Sequence, residues 1–114
     1  MPILTIETNV PLDAVRSQEL ARKASALCAR LCGKPEQWVL ASVNAVQAIV
    51  FAGSDAPAAR VALKSIGLNT NDCAGLSKEL AGFLEAELGV APGRAYIEFV
   101  RLEGGLVGWN GGTF

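Results

Sequence analysis

The sequence predicts an α/β domain made of a duplicated β-α-β unit, because the same order of segments occurs twice. In each half, a β-type segment precedes a long amphipathic segment that ends in glycine, with proline two or three residues later (residues 33–35 and 89–92). A second β-type segment follows each stop and carries an aromatic residue near its start, Trp38 or Tyr96. The 114 residues fit one domain, so we predict a single domain over residues 1–114.

The first half is predicted to begin with one strand and one long helix. Residues 3–8 are rich in Ile, Leu and Thr, which favours a strand. A helix is predicted from about Asp13, a suitable N-cap, to the stop at Gly33, because its apolar residues recur at helical spacing. These apolar residues are Leu20, Ala24, Leu27, Cys28 and Leu31.

Several short β-type segments follow the first helix. Residues 38–44 and 48–52 predict two strands, and the second closes in a turn at residues 53–57. Residues 61–66 predict a further strand. Residues 67–72 are polar and predict a loop that leads into the second helix.

The second helix is predicted to begin at an N-cap, Asn71 or Asp72, and to end at Gly89. Its apolar stripe consists of Leu76, Leu80, Phe83, Leu84 and Leu88. Residues 95–102 then predict the last long strand, and the glycine-rich residues 104–114 predict an extended segment.

The arrangement of these elements follows from the handedness of β-α-β units. Right-handed crossovers place both helices on one face of a four-stranded mixed sheet. Strand residues of both parities are apolar, among them Ile3, Leu4, Val39 and Leu40, and 51% of the chain is hydrophobic, more than one small core uses. We therefore expect the uncovered face of the sheet to be buried against other subunits.

Charge and hydropathy exclude several kinds of partner. The net charge is -1, and Lys and Arg are scattered among Asp and Glu, which leaves no basic stripe for a nucleic acid. The longest apolar runs, such as residues 45–52, are shorter than the ~20 residues of a membrane-spanning helix. The start of the chain lacks the basic and apolar regions of a secretory signal. We expect a cytoplasmic protein with no nucleic-acid or membrane partner.

The cysteines argue against metal and redox chemistry. Cys28, Cys32 and Cys73 are an odd number without C-x-x-C spacing, and the chain contains no histidine. Cys28 and Cys32 lie four residues apart on the predicted helix and share a face. We predict that both are small buried hydrophobes, and we expect no metal and no cofactor.

Short segments along essentially the whole chain carry a resemblance to a known family. In chain order they are residues 1–2 (MP), 8–11 (TNVP), 33–38 (GKPEQW), 65–67 (SIG), 94–97 (RAYI) and 108–114 (GWNGGTF). With this order and spacing the sequence resembles the macrophage migration inhibitory factor family of the tautomerase superfamily. The resemblance implies an α/β homotrimer whose sheets line a central barrel, with three active sites between subunits.

The resemblance also implies roles for individual residues. Pro2, made the first residue by removal of Met1, would be the catalytic base through its ring nitrogen. Lys34 would meet a carboxylate or carbonyl of the substrate, Ile66 would offer a backbone contact, and Tyr96 would reach in from the neighbouring subunit. The apolar rim of the pocket would be formed by Trp38, Val107, Trp109 and Phe114.

The chain departs from the family pattern at two places. Glu98 stands in the pocket where the best-known members carry asparagine, so it adds a negative charge near the expected carboxylate site and leaves the choice of substrate open. Ala58 and Val61 replace a cysteine pair that some relatives carry. A thiol-disulfide oxidoreductase activity is therefore not expected.

Three functions follow from the resemblance. The first is a keto-enol tautomerase for phenylpyruvate-like carbonyl compounds, since Pro2 supplies a base and Lys34 a charge that stabilises an oxyanion. The second is a signalling protein that binds a receptor through the trimer surface, as in members that are exported without a signal peptide. The third is a pocket that binds a small metabolite without turnover. The sequence leaves the physiological substrate open.

Overall fold

The computed structural model describes residues 1–114 and contains the predicted mixed sheet. Its strands and helices, numbered in chain order, are β1 (Pro2–Thr8), α1 (Ala14–Cys32), β2 (Leu40–Asn44), β3 (Ala59–Ile66), α2 (Thr70–Leu88) and β4 (Ala95–Leu102). The strand order is β2-β1-β3-β4, with β1 parallel to β2, β1 antiparallel to β3, and β3 parallel to β4. Each helix connects two parallel strands, so the duplicated β-α-β unit is confirmed.

Both helices end as predicted, but α2 begins earlier. The Asp13 side chain accepts a hydrogen bond from the backbone N–H of Arg16 at 2.7 Å, and Gly33 adopts a left-handed φ of 62°. The N-cap of α2 is Asn69, whose side chain accepts from the N–H of Asn71 at 2.9 Å. The predicted caps Asn71 and Asp72 are therefore wrong. The first turn of α2 is polar because it faces solvent, which made it look like a loop.

One face of the sheet packs on the two helices and forms the core. Residues of β1 alternate between buried and partly exposed along the strand. The core residues are Leu4, Ile6, Leu20, Ala24, Cys28, Ala59, Val61, Leu63, Leu76, Leu80, Leu84, Leu88 and Val90. At its edge, Glu87 of α2 accepts from Arg16 at 2.9 Å and from Lys23 at 3.2 Å, both on α1. This contact links the two helices directly.

The opposite face of the sheet carries no helix and is mixed rather than uniformly apolar. Ile3 and Leu40 are neighbours near one end of the sheet. Acidic and basic side chains lie across the same face, namely Glu7, Arg60, Lys64 and Glu98. If other subunits cover this face, as the sequence predicts, they must therefore accommodate charged groups as well as apolar ones.

The predicted strand at residues 48–52 is wrong. Only Phe51 forms a β-bridge there, with Ser54, and Ala52 between them adopts a left-handed φ of 51° that turns the chain. The guanidinium of Arg94 holds this segment by donating to four backbone carbonyls at 2.8–3.1 Å, those of Phe51, Ser54, Ala56 and Pro57. A side chain distant in sequence, rather than sheet pairing, thus fixes the local conformation.

Two other segments differ from the prediction. Residues Glu36–Trp38 form a single 3₁₀ turn, so β2 begins at Leu40 and not at Trp38. The glycine-rich end is a 3₁₀ turn (Gly104–Leu106) followed by a two-stranded hairpin. The hairpin strands are β5 (Gly108–Trp109) and β6 (Gly112–Thr113). A Cβ at Gly104 would lie 3.0 Å from the carbonyl oxygen of Phe114, so this close approach requires glycine.

Candidate active site at the amino terminus

The amino terminus lies at the ends of the two central strands. Pro2 is less than 2% exposed. It pairs with Ser65 of β3, and the next residue, Ile3, pairs with Leu40 of β2. The burial of Pro2 follows from this position, with a strand on either side and the helices on the core face. An amine at this point of the chain is therefore shielded from much of the solvent.

Lys34 acts electrostatically on the terminal amine. The pKa of the Met1 ammonium is lowered from its ordinary value, first because the group is partly buried and second because the positive charge of Lys34 repels it. Gly33, in its left-handed conformation, ends α1 immediately before Lys34. The helix stop thus determines where the lysine leaves the helix.

Lys34 and Ile66 line one cavity of about 280 Å³ between the end of α1, the end of β3 and the start of α2. Its walls also include Cys32 and Ser65, and the carboxylate-bearing residues Asp72 and Glu79 stand on the α2 side. The structure thus brings two of the predicted binding residues together. It also places them beside Pro2, because Ser65 is the β3 partner of that residue.

Three predicted rim residues form an aromatic cluster. The ring centroids of Trp38 and Trp109 are 4.9 Å apart with an edge-to-face angle of 73°, and those of Trp38 and Phe114 are 5.7 Å apart. The backbone N–H of Phe114 donates to the carbonyl of Val107 at 3.2 Å, which ties the carboxyl terminus to the hairpin. Trp109 is 54% exposed and Phe114 42% exposed. These rings are therefore available for contact with a ligand or a second chain.

Tyr96 and Glu98 are not near Pro2 within one chain. Tyr96 pairs with Arg60 of β3, whereas Pro2 pairs with Ser65, five residues further along the same strand. At the rise of a strand, five residues correspond to about 16 Å. Tyr96 is also 71% exposed. Any contact of these two side chains with Pro2 must therefore come from another copy of the chain.

A second apolar cavity of about 550 Å³ surrounds Tyr96 and Glu98. Its walls include Phe51, whose ring centroid is 4.9 Å from that of Tyr96. The one ion pair in the cavity is formed by the Nε of Arg60 and the Oε1 of Glu98 at 2.8 Å. This hydrogen bond and the charge of Arg60 lower the pKa of Glu98, and the same contact raises the pKa of Arg60.

Comparison with known proteins decides the family. Residues 1–114 match the family model described as macrophage migration inhibitory factor (MIF). The chain belongs to the MIF family. It is 43% identical to the MIF homolog of Brugia malayi, over all of this chain and 99% of that protein. It is 36% identical to mouse MIF, over all of this chain and 99% of that protein.

Solved structures of MIF proteins have the same fold. The MIF homologue from Prochlorococcus marinus superposes with a TM-score of 0.91 at 34% identity, covering 98% of each chain. MIF from Trichinella spiralis superposes with a TM-score of 0.90 at 37% identity, covering 98% of this chain and 99% of that one. The family lies in the tautomerase superfamily, and the fold predicted from the resemblance is confirmed.

Sequence reasoning missed two residues in this MIF family member. Arg60 was not singled out, although an opposite charge of the same parity on a neighbouring strand would have indicated it once the β3–β4 register was known. Cys32 was predicted to be buried, but it is partly exposed and lines the Lys34 cavity, whereas Cys28 is buried. Cys32 lies in the last turn of α1, where the helix no longer covers its side chain.

The structure contains no group of three or more His, Cys, Asp or Glu side chains that could hold a metal ion. Neither α1 nor α2 combines the length and apolar content that crossing a bilayer requires.

Proposed function

We propose that this chain is a keto-enol tautomerase for phenylpyruvate-like compounds, with Pro2 as the general base once Met1 has been removed. The observation that supports this most directly is the environment of the amino terminus. Burial and the charge of Lys34 both lower the pKa of an ammonium at this end of the chain. A neutral amine is the form that can accept a proton from carbon.

The proposed reaction moves one proton and leaves the oxidation state unchanged. The ring nitrogen of Pro2 removes the proton next to the carbonyl, and the electron pair of the C–H bond forms the C=C bond of the enol. The carbonyl oxygen becomes an oxyanion that Lys34 stabilises, and a proton is then delivered to that oxygen. Apolar surfaces of Trp38, Trp109 and Phe114 would hold the aromatic part of the substrate.

We propose that a homotrimer completes the site. Within one chain, Pro2 and Lys34 lie at one end of the sheet and Tyr96 and Glu98 toward the other. Both halves present exposed aromatic rings, Trp109 on the first and Tyr96 on the second. Joining the first half of one subunit to the second half of its neighbour would bury these rings and close the pocket.

Replacing Lys34 tests the proposed reaction. In the protein without Met1, we expect Lys34→Ala to lower kcat/KM for phenylpyruvate by about 10–100-fold, because the oxyanion and the carboxylate lose their cation. Lys78→Ala is the matched control, since Lys78 is exposed on α2 and lines none of the cavities named above. Equal kcat/KM values for the two variants would exclude Lys34 from the site.

Glu98 and Arg60 together determine how the second half treats a carboxylate. Because Arg60 neutralises Glu98, we expect Glu98→Asn to leave the guanidinium free and to raise kcat/KM for carboxylate-bearing substrates by roughly 3–10-fold. A neutral ester of the same substrate should respond little. Glu103→Gln, an exposed acid beyond β4, is the control. A fall in kcat/KM for the carboxylate substrate in Glu98→Asn would contradict the proposal.

A receptor-binding role is the second candidate function. It is favoured by the curated relatives at 36–43% identity, which carry the name macrophage migration inhibitory factor or its homolog. Such a role needs an intact trimer surface and no base at Pro2. Partner binding that persists when the Pro2 amine is blocked would separate this role from the enzymatic one.

A further inference from the structure

The last turn of α1 brings two thiols to the Lys34 cavity. Cys32 is partly exposed and lines this cavity together with Lys34 and Ile66. Cys28 lies one helical turn earlier on the same face and is buried in the core. Cys32 is therefore the thiol that a small molecule in the cavity can reach, and Cys28 is its covered neighbour.

The surroundings favour the thiolate of Cys32. A hydrogen bond from the Cys28 thiol, together with the positive charges of the amino terminus and Lys34, lowers the pKa of Cys32 to about 7 although burial opposes the shift. The same hydrogen bond and the burial of Cys28 raise the pKa of Cys28. Cys28 therefore stays protonated as the donor, and Cys32 becomes the nucleophile.

We propose that Cys32 is a covalent modification site for small, neutral, electrophilic carbonyl compounds, and that the adduct fills the cavity beside Lys34. The volume of about 280 Å³ admits only a small molecule. Asp72 and Glu79 on the opposite wall disfavour an anionic one. The proposal uses no turnover and therefore stands apart from the proposed tautomerase activity.

The reaction is a conjugate addition to an α,β-unsaturated carbonyl compound. The Cys32 thiolate attacks the β-carbon and forms a C–S bond, and the π electrons of the C=C bond move to the carbonyl oxygen as an enolate. The α-carbon then takes a proton from water. Nothing is oxidised or reduced. Lys34, on the same cavity wall, is placed to stabilise the enolate oxygen.

Competitive labelling with limiting N-ethylmaleimide, an electrophile of this class, tests the proposal on the intact protein. Trypsin separates the four nucleophiles into different peptides, because it cuts after Arg16, Lys23, Arg30, Arg60, Lys64 and Lys78 but not at the Lys34–Pro35 bond. Residues 24–30 carry Cys28, residues 31–60 carry Cys32, residues 65–78 carry Cys73, and the first peptide carries Pro2. Mass spectrometry of these peptides gives each labelling rate.

We expect Cys32 to be labelled first, with a rate that falls by half as the pH drops through about 7, because the thiolate is then protonated. Relative to an ordinary thiol of pKa ~8.5, its rate should be about threefold higher at pH 7, after allowing for the lower nucleophilicity of the more acidic thiol. Cys28→Ala removes the hydrogen-bond donor and should move the midpoint upward. Cys73→Ser should leave the Cys32 rate unchanged.

The position of the adduct is measured by acetylation of Lys34 with acetic anhydride, with Lys78 as the internal reference. In the labelled protein we expect the Lys34 rate relative to Lys78 to fall several-fold, and in Cys32→Ser to be insensitive to N-ethylmaleimide. Labelling of Pro2, Cys28 or Cys73 ahead of Cys32 would overturn the assignment of the nucleophile. Unchanged acetylation of Lys34 after complete labelling of Cys32 would overturn the placement of the adduct.

Discussion

Blocking the amine of Pro2 is expected to abolish tautomerase activity while the fold stays intact. With Met1 retained, or with one residue added before Pro2, the ring nitrogen becomes an amide and has no basic electron pair. We expect kcat/KM for phenylpyruvate to fall by about 10²–10⁴-fold, the range for loss of a general base. Pro2→Gly, with Met1 removed, keeps a primary amine and should retain part of the activity.

The pH dependence provides a second reading of the same base. An ordinary terminal amine has a pKa of ~7.7–8.0, and burial and Lys34 lower the pKa of the terminal ammonium of this chain. Removing Met1 moves the amine to Pro2, which is more deeply buried. We expect kcat/KM to fall as the pH drops through the lowered pKa, because protonation removes the base. In Lys34→Ala this acid limb should move to higher pH.

Mass spectrometry establishes which form is assayed, since removal of Met1 changes the mass by one residue. Circular dichroism and sedimentation of the extended protein control for misfolding. If the extended protein tautomerises phenylpyruvate as fast as the processed one, Pro2 is not the base and the proposed activity is wrong.

Local sequence signals predicted most of the secondary structure. The ends of α1 depend on Asp13 and Gly33, whose capping interactions involve residues three or four positions away. Such interactions are visible in a single sequence. The helices and the four long strands follow from apolar spacing, and their order determines the topology through the right-handed crossover.

Features that depend on distant contacts could not be predicted in this way. Residues 48–52 have the composition of a strand, but Arg94 binds their neighbourhood across about forty residues and the chain turns at Ala52. The pairing of Arg60 with Glu98 required the β3–β4 register. The exposure of Cys32 required knowing what covers the last turn of α1. In each case tertiary contacts overrode or completed a local pattern.

The placement of Tyr96 leads to the second large expected effect, which is the recovery of activity from two inactive proteins. If Pro2 of one subunit works with Tyr96 of its neighbour, a chain with a blocked Pro2 and a Tyr96→Ala chain fail for different reasons. In a mixed trimer, a site can combine the free Pro2 of the second chain with the intact Tyr96 of the first. Random assembly of equal amounts restores roughly a quarter of the sites.

The experiment mixes the two variants under conditions that dissociate the assembly, restores native conditions and measures phenylpyruvate tautomerisation. A chain that carries both changes, mixed with the Pro2-blocked chain, is the control and should recover nothing. Sedimentation at micromolar concentration must show a trimer, and a folded monomer would exclude shared sites. Mixed trimers that form without any recovery of activity would show that Tyr96 does not serve the site of a neighbouring Pro2. The separation of these residues along β3 leads us to expect recovery.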